Sequence, residues 1–317
     1  MKVSQTSAAP KTILCIGGAN VDEVLRLSDP LNLQASNRVA TTTTAGGIAR
    51  NVAQNLCALG AEAGLVSAVG EDGPGDWLLA ETKAAGVDTS QMLKRDCIAT
   101  GRYLAALSPG GDLEVGFADM AAVESLCRDE MANLAPEIAR ADYVFADTNL
   151  NRDTLAYLVK IANRVETQVA VDLVSPHKAK RLCDCLAHTK LVVGNRNEAL
   201  ALLARKDDPN VDAGELAKAI VAQGASRAVI SDGGGEIGWC ETVVAKLDKT
   251  ATRRFGTAAP LPATIVNVTG AGDALHAEII ISLARGHTLE EATQNGLKIA
   301  ALMVASSEHA LTLDLLN

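Results

Sequence analysis

Short apolar runs of strand length alternate with longer segments of helical period along most of this chain. Residues 12–16, 65–69, 143–146, 169–173, 191–193 and 228–231 read as buried strands. Helical spacing marks residues 48–59, where Val52, Leu56 and Leu59 recur at helical intervals, and residues 77–85, stopped at Gly86. It marks 154–165, 198–204, 213–223, 271–284 and 289–306 as well. This repeated βαβ rhythm predicts an α/β fold with a mostly parallel sheet and helices on both faces. In such folds ligands sit at the carboxyl ends of the strands.

Two segments break the rhythm. Residues 23–44 carry no convincing helical pattern and end in Thr41, Thr42, Thr43 and Thr44, a run that favours strand. Residues 99–120 read as a hairpin, with strands at 101–107 and 113–117 around the turn Ser108-Pro109-Gly110-Gly111-Asp112. Together they predict a small second sheet, a flap over the strand ends. No linker, repeat or low-complexity stretch divides the chain, so residues 1–317 are expected to form one domain.

Composition narrows the class. The chain is 48% hydrophobic and 21% charged, as a globular protein with a sizeable core should be. Its net charge of −9 and its eight aromatic residues argue against an extended nucleic-acid footprint. No apolar run approaches the roughly 18 residues of a membrane span. Lys2 and Lys11 precede an apolar stretch, 13–16, too short for a signal-peptide core. Seven cysteines at irregular spacing contain no CxxC pair. Cys183 and Cys185 lie near His177 and His188, but this lone CxC lacks the second half of a zinc site. A reducing cytoplasm is the simpler reading.

The segment Asn267-Val268-Thr269-Gly270-Ala271-Gly272-Asp273 carries the sharpest chemistry. It follows Ile265 and Val266 and opens the helix near Ala271. Glycines at a helix start admit an anion to the free N–H groups of the first turn. A carboxylate there repels a phosphate that is merely bound. It fits a base that takes a proton from an attacking hydroxyl while the amides hold a migrating phosphoryl group. The same pattern also describes a plain helix start with Asp favoured by the dipole.

The segment resembles the C-terminal signature of the PfkB, or ribokinase-like, family of carbohydrate and nucleoside kinases, which usually reads D-T-x-G-A-G-D. A second family signature runs from Gly46-Gly47-Ile48-Ala49-Arg50-Asn51 to Leu59-Gly60. Gly17-Gly18-Ala19-Asn20-Val21-Asp22 and Val69-Gly70-Glu71-Asp72-Gly73-Pro74-Gly75 also occur in the family's order. Within the family, Phe117 to Met120, Ala146 to Asn149 and Val171 to Lys178 are most similar to members acting on pseudouridine. The resemblance implies a three-layer αβα sandwich with a small β-sheet lid at about residues 23–44 and 99–120.

It also implies roles. Asp273 is the base, and the amides of Gly270, Ala271 and Gly272 form the anion hole. Asp22 accepts from the ribose 2′- and 3′-hydroxyls, with Asn20 two residues earlier on the same strand face. Gly46 and Gly47 let the sugar lie against backbone, and Asn51 adds an amide contact. Asp119 and Lys178 are candidate contacts to the acceptor's nucleobase, although a loop carboxylate and an exposed lysine describe them equally well. Asn195 and Glu198 match an N-x-x-E motif that helps place magnesium, Glu198 through water. The same spacing is a capping box. Ser231 and Gly233 belong to a nucleotide loop that can also be a plain turn, and Thr269 joins them as an ATP contact. The implied cofactors are Mg2+ and ATP as cosubstrate. The K+ requirement stays open because Asn267 replaces the family's Asp.

Other departures are Glu236 in the nucleotide loop, Leu275 for an aromatic and Glu278 for a small residue. His276 lies one turn after Asp273 and could approach the site, but is expected to be a packed or solvated helix histidine. Arg253 and Arg254 are expected to be solvated in a loop over residues 250–262. Tyr103 and Phe117, in the flap, are the aromatics to inspect beside a nucleobase. The expected function is ATP-dependent phosphorylation of a ribonucleoside 5′-hydroxyl, pseudouridine first. Ribose, a purine nucleoside or a sugar phosphate is the alternative acceptor, with Arg38, Arg50 and Arg102 available to the last. A catalytically silent binding protein is the rival class. A cytoplasmic homodimer joined through the lid sheets, without nucleic-acid or membrane partners, completes the expectation.

Overall fold

The computed structural model describes residues 9–244 and 250–316. Lys2 and the ends of the expected 1–317 domain lie outside them. Fourteen strands occur in chain order among the described residues: β1 (Thr12–Ile16), β2 (Asn20–Leu27), β3 (Val39–Gly46), β4 (Glu62–Val66), β5 (Ala68–Gly70), β6 (Leu93–Arg95), β7 (Arg102–Leu107), β8 (Leu113–Asp119), β9 (Tyr143–Asp147), β10 (Val169–Asp172), β11 (Leu191–Asn195), β12 (Arg227–Ser231), β13 (Ile237–Val244) and β14 (Ala251–Ala258). Eight of them form one sheet in the order β14-β13-β12-β11-β10-β9-β1-β4, parallel from β12 to β4 and antiparallel at β13 and β14.

Strand alternation divides the core between the two faces of this sheet. Ile13, Cys15, Tyr143 and Phe145 turn to one side, where they pack with Val52 and Leu56 of the helix Ile48–Ala58 and Ile279 of the helix Ala271–Ala284. Leu14, Ile16, Val144 and Ala146 turn to the other, against Leu155 and Leu158 of Arg152–Arg164 and Leu216 and Ile220 of Ala213–Ala222. A parallel strand covered on both faces must be apolar at every position, which is why these runs are continuous.

The two segments outside the rhythm meet as expected in a separate four-stranded sheet, ordered β3-β2-β7-β8. Asp22 pairs with Thr44 on one side and Tyr103 on the other, so the three share one face. Phe117 pairs with Leu104, the neighbour of Tyr103, and therefore lies on the opposite face, where it is 61% exposed.

Several expectations need correction. The helix expected over 77–85 begins at Gly73, capped by Asp72, and the one over 154–165 begins at Arg152, capped by Asn151. The strand expected at 65–69 begins at Glu62 and ends at Val66; past it the chain changes partner from β1 to β6, the Ser67 carbonyl accepting the Leu93 amide at 2.9 Å while its Oγ donates to the Gly17 carbonyl at 2.6 Å. The helix expected from 198 begins at Arg196, because Asn195 caps it. Residues 250–262 are not all loop: β14 occupies Ala251–Ala258 and closes the sheet as an edge strand. Its Arg254 is half-exposed, as expected of a solvated residue, but also reaches Glu241 and Glu290 at 3.7 Å each. Among the described residues no helix is long and apolar enough to cross a membrane.

One carboxylate fastens the end of β1 to the elements around it. Asp147, fully buried at the end of β9, accepts from the Gly18 and Ala49 amides through Oδ2, at 2.9 and 3.0 Å. Its Oδ1 accepts from the Asn149 amide at 2.9 Å. Gly17 has no room for a side chain, since a Cβ there would lie 2.5 Å from the Asp147 carboxyl carbon. Asp147→Ala leaves three amides without that acceptor. It should lower unfolding free energy by about 3 kcal/mol, read as a lower urea midpoint at unchanged slope. A midpoint equal to wild type would show that these bonds are replaced by water.

Candidate active site

The helix Ala271–Ala284 begins at Gly270, whose φ of 78° is left-handed. A Cβ at Gly270 would lie 2.0 Å from the His309 carbonyl oxygen, so the close approach requires glycine independently of φ. No side chain caps this helix. Gly272 is exposed, with nothing within 4 Å of a Cβ placed there. The amides of the first turn have no partner within the helix and can receive an anion, that of Ala271 by giving up a long bond to the Val268 carbonyl at 3.4 Å. Thr269 is exposed, and its N–H donates to Asn267 Oδ1 at 3.0 Å.

Asp273 stands in that first turn, where Asn51 Nδ2 donates to its Oδ2 at 2.9 Å. Asn51 is held in turn by Arg50, which donates from Nη1 to Asn51 Oδ1 and to the Ala45 carbonyl, both at 3.1 Å. Arg50 is thus buried and engaged. Burial pushes the Asp273 carboxyl up to about 7; the Asn51 bond and His276 oppose the rise, while Asp172 and Asp147 add to it. A carboxyl poised near neutrality can accept a proton from a hydroxyl.

Asp22 is half-buried on β2 and accepts from Asn20 Nδ2. Burial raises its carboxyl to about 6, against the Asn20 bond, His309 and Arg50. Gly46 and Gly47 lie where side chains cannot fit. A Cβ at Gly46 would sit 2.1 Å from Asp22 Oδ2, and one at Gly47 (φ 99°) would sit 2.4 Å from the Gly18 carbonyl. The glycines therefore let the end of β3 close on Asp22 and on the turn after β1. Lys178 Nζ donates to Asn149 Oδ1 at 2.6 Å and is half-buried, not free in solvent. Asp119 is exposed, pairs with Arg102 on the face opposite Tyr103, and accepts from the Ala121 amide at 3.1 Å.

Asn195 and Glu198 form a complete capping box. Glu198 accepts the Asn195 backbone N–H at 2.8 Å and its side-chain amide at 2.7 Å, and the Glu198 amide donates to Asn195 Oδ1 at 3.1 Å. Each Glu198 oxygen has a lone pair left, which suits contact with a metal through water. Among the described residues no cluster of three or more His, Cys, Asp or Glu side chains could hold a metal by itself, and Cys183 and Cys185 are free thiols. Ser231 is the register partner of Asn195 on the next strand, so the two reach the same sheet end. Gly233 lies in an exposed turn at φ 54°, and Glu236 is exposed after it.

Sequence reasoning assigned no role to Asp147 or Asp172 and left His276 among bland helix residues. Asp172 ends β10, and its Oδ1 accepts from the Val174 amide at 2.8 Å. Its Oδ2 lies 2.7 Å from Nδ1 of the buried His276. The available signal was a carboxylate at the end of two of the apolar runs, Asp147 after 143–146 and Asp172 within 169–173. Burial raises Glu198 to about 7, with Asp172 adding and Asn195 and His276 opposing. The same burial raises Asp147 to about 6 against its amide bonds.

The profile of the pfkB family carbohydrate kinases matches residues 10–314. Pseudouridine kinase of Escherichia coli (strain K12) is 32% identical over 84% of this chain and 81% of its own. Guanosine-inosine kinase of Exiguobacterium acetylicum is 27% identical over 96% of this chain and 98% of its own. The structure of ribokinase from Giardia lamblia superposes with a TM-score of 0.81 over 97% of this chain and 98% of that one. At 16% identity, that likeness concerns the fold.

Asp22, Asp147, Glu198 and Asp273 all hold protons in the folded state at pH values where the unfolded chain has released them. Native protein then binds more protons than unfolded protein between about pH 4 and 7, so stability must fall as pH rises through that window. The melting temperature of ligand-free protein should be higher at about pH 5.5 than at about pH 7.5. The reverse order in calorimetry would mean that these carboxylates are ionised when folded.

Proposed function

The chain belongs to the PfkB family of carbohydrate kinases, and from that premise we propose that it transfers the γ-phosphoryl group of ATP to the 5′-hydroxyl of a ribonucleoside, with pseudouridine as the acceptor. The observation that carries the reading is Asp273, a carboxyl poised near neutrality and steered by Asn51, at the start of a helix with open first-turn amides.

In this reading Asp22 and Asn20 bind the ribose hydroxyls, and Gly46 and Gly47 let the sugar rest on backbone. Asn51 orients the Asp273 carboxylate toward the 5′-hydroxyl. As the hydroxyl oxygen bonds to the γ-phosphorus, its proton passes to Asp273 and the bond to the bridging oxygen of ADP breaks. The amides of Gly270, Ala271 and Gly272 receive the charge on the transferring group. Thr269, Asn195, Ser231 and Gly233 line the side on which the nucleotide lies, and Glu198 would hold Mg2+ through water. When bound, magnesium neutralises triphosphate charge. The small sheet carrying Asp22 and Tyr103 closes over the acceptor and keeps water from competing for the phosphoryl group.

Identity to the pseudouridine kinase supports the acceptor, as does the half-buried Lys178–Asn149 pair beside Gly18, which offers polar contacts to a base. A phosphorylated sugar would have to use Arg38, exposed just before β3, because Arg50 is occupied and Arg102 pairs with Glu23 at 3.2 Å. We assign the protein to the cytoplasm on its seven unpaired cysteines. We read it as a homodimer through the small sheet, on the exposed Val39, Leu113 and Phe117 there.

Asp273→Asn should reduce ADP release by about 10³-fold or more while ATP binding survives, and near-wild-type turnover would remove Asp273 from its role. In the intact enzyme kcat/KM should fall on the acid side with an apparent pKa of about 7, because the carboxylate must be free to accept the proton. A panel of pseudouridine, uridine, guanosine, inosine and ribose tests the acceptor. Pseudouridine should give the highest kcat/KM, and equal rates with uridine or ribose would reject it while leaving the kinase.

A further inference from the structure

We propose that His276, seated against Asp172, is a positioning residue that keeps Asp273 in its proton-accepting form by setting a cation one helical turn behind it. The inference rests on the reading of Asp273 as the base and concerns what holds it ready.

His276 follows Asp273 by three residues on the same helix, so the two side chains lie on neighbouring positions of one face. Its Nδ1 stands 2.7 Å from Asp172 Oδ2, within ion-pair range although the two are not aligned as a hydrogen bond, and both side chains are buried. Asp172 cannot turn away easily, because its other oxygen accepts the Val174 amide. The charged groups around the ring come from three elements: Asp172 from β10, Glu198 from the helix Arg196–Leu202, and Asp273 from its own helix. Asp147 of β9 adds a further carboxylate that acts on Asp273.

Burial alone would drive the proton off His276, but Asp172, Asp273 and Glu198 overcome it and leave the ring more basic than usual. An imidazolium here is a counter-ion inside a group of carboxylates. Without it, Asp172 faces Asp273 uncompensated, and ionising Asp273 becomes harder. A neutral packing residue at this position would fill the space without supplying that charge. The proposal therefore predicts a specific coupling between His276 and Asp172 that packing alone does not.

The test is the acid limb of kcat/KM for ADP release with the preferred acceptor, in wild type, His276→Gln, and the double variant H276Q/D172N, each checked for fold by circular dichroism. H276Q should move the limb to higher pH by about one unit, so that activity at about pH 6.5 falls several-fold more than at about pH 8.5. Removing the Asp172 charge as well should bring the limb back toward its wild-type position. An unmoved limb in H276Q, or a double variant displaced as far as the single one, overturns the proposal. If H276Q does not fold, the wild-type protein still decides. The imidazole 15N shifts of its five histidines should include a buried imidazolium at about pH 7.5, and a neutral His276 ring there overturns the proposal. Asp273→Asn separates the two levels. Turnover surviving in D273N removes the underlying reading, whereas a dead D273N with an unmoved H276Q limb removes only the role of His276.

Discussion

The Asp147 carboxylate fixes the relation between the sheet and everything above it. It gathers the amides of Gly18, Ala49 and Asn149 at the end of β9. Gly18 leads directly into β2 and the small sheet, and Ala49 stands in the first turn of the helix that carries Arg50 and Asn51. The bond to Ala49 also places a negative charge at that helix start, where the dipole favours it. Because Asn51 reaches Asp273 from this helix, the geometry of the candidate base depends on a carboxylate in another element. The tight glycines at 17, 18 and 47 follow from the same convergence: three backbones meet where a Cβ would collide with a carboxyl, an amide or a carbonyl.

The site also concentrates acid groups at one end of a parallel sheet. Asp147 and Asp172 terminate adjacent strands, and Glu198 and Asp273 open helices beside them. Each would be costly to bury as an isolated charge. The structure compensates locally with backbone amides for Asp147, a capping box for Glu198, Asn51 for Asp273, and the His276 ring for Asp172. A net charge of −9 argues against an extended nucleic-acid footprint but not against phosphate binding, because helix amides offer positive partial charge without a titratable side chain.

The βαβ rhythm was legible because strands covered on both faces must be apolar throughout, and helices with one buried face must repeat near 3.6 residues. The lid segments were legible by failing both patterns. β14 was not, since Ala251 to Phe255 are all exposed on an edge strand and show no alternation to read. The break at Ser67 marks a change of partner, from β1 to β6, that no local pattern announces. Asp273, Asn51 and Asp22 stood in recognisable signatures, whereas Asp172 and His276 acquire meaning only from their approach across the fold. Tyr103 and Phe117, neighbours in a hairpin, separate onto opposite faces because register, not nearness in sequence, assigns faces.

The C-terminal loop belongs to the same scaffold, although nothing in its composition suggests it. The His309 carbonyl occupies the space a side chain at Gly270 would need, and the Leu311 amide donates to the buried Asn55 Oδ1 at 2.7 Å. Asn55 lies one turn beyond Asn51 on the same helix. The loop thus bridges the helix that steers Asp273 and the helix that bears it. The Val266 and Asn267 amides add a second tie by donating to the Val304 carbonyl, at 2.7 and 3.2 Å. Gly270 is therefore constrained twice, by a left-handed backbone that opens the first-turn amides and by a carbonyl from the far end of the chain. Any side chain there would push the loop away and disturb both helices at once.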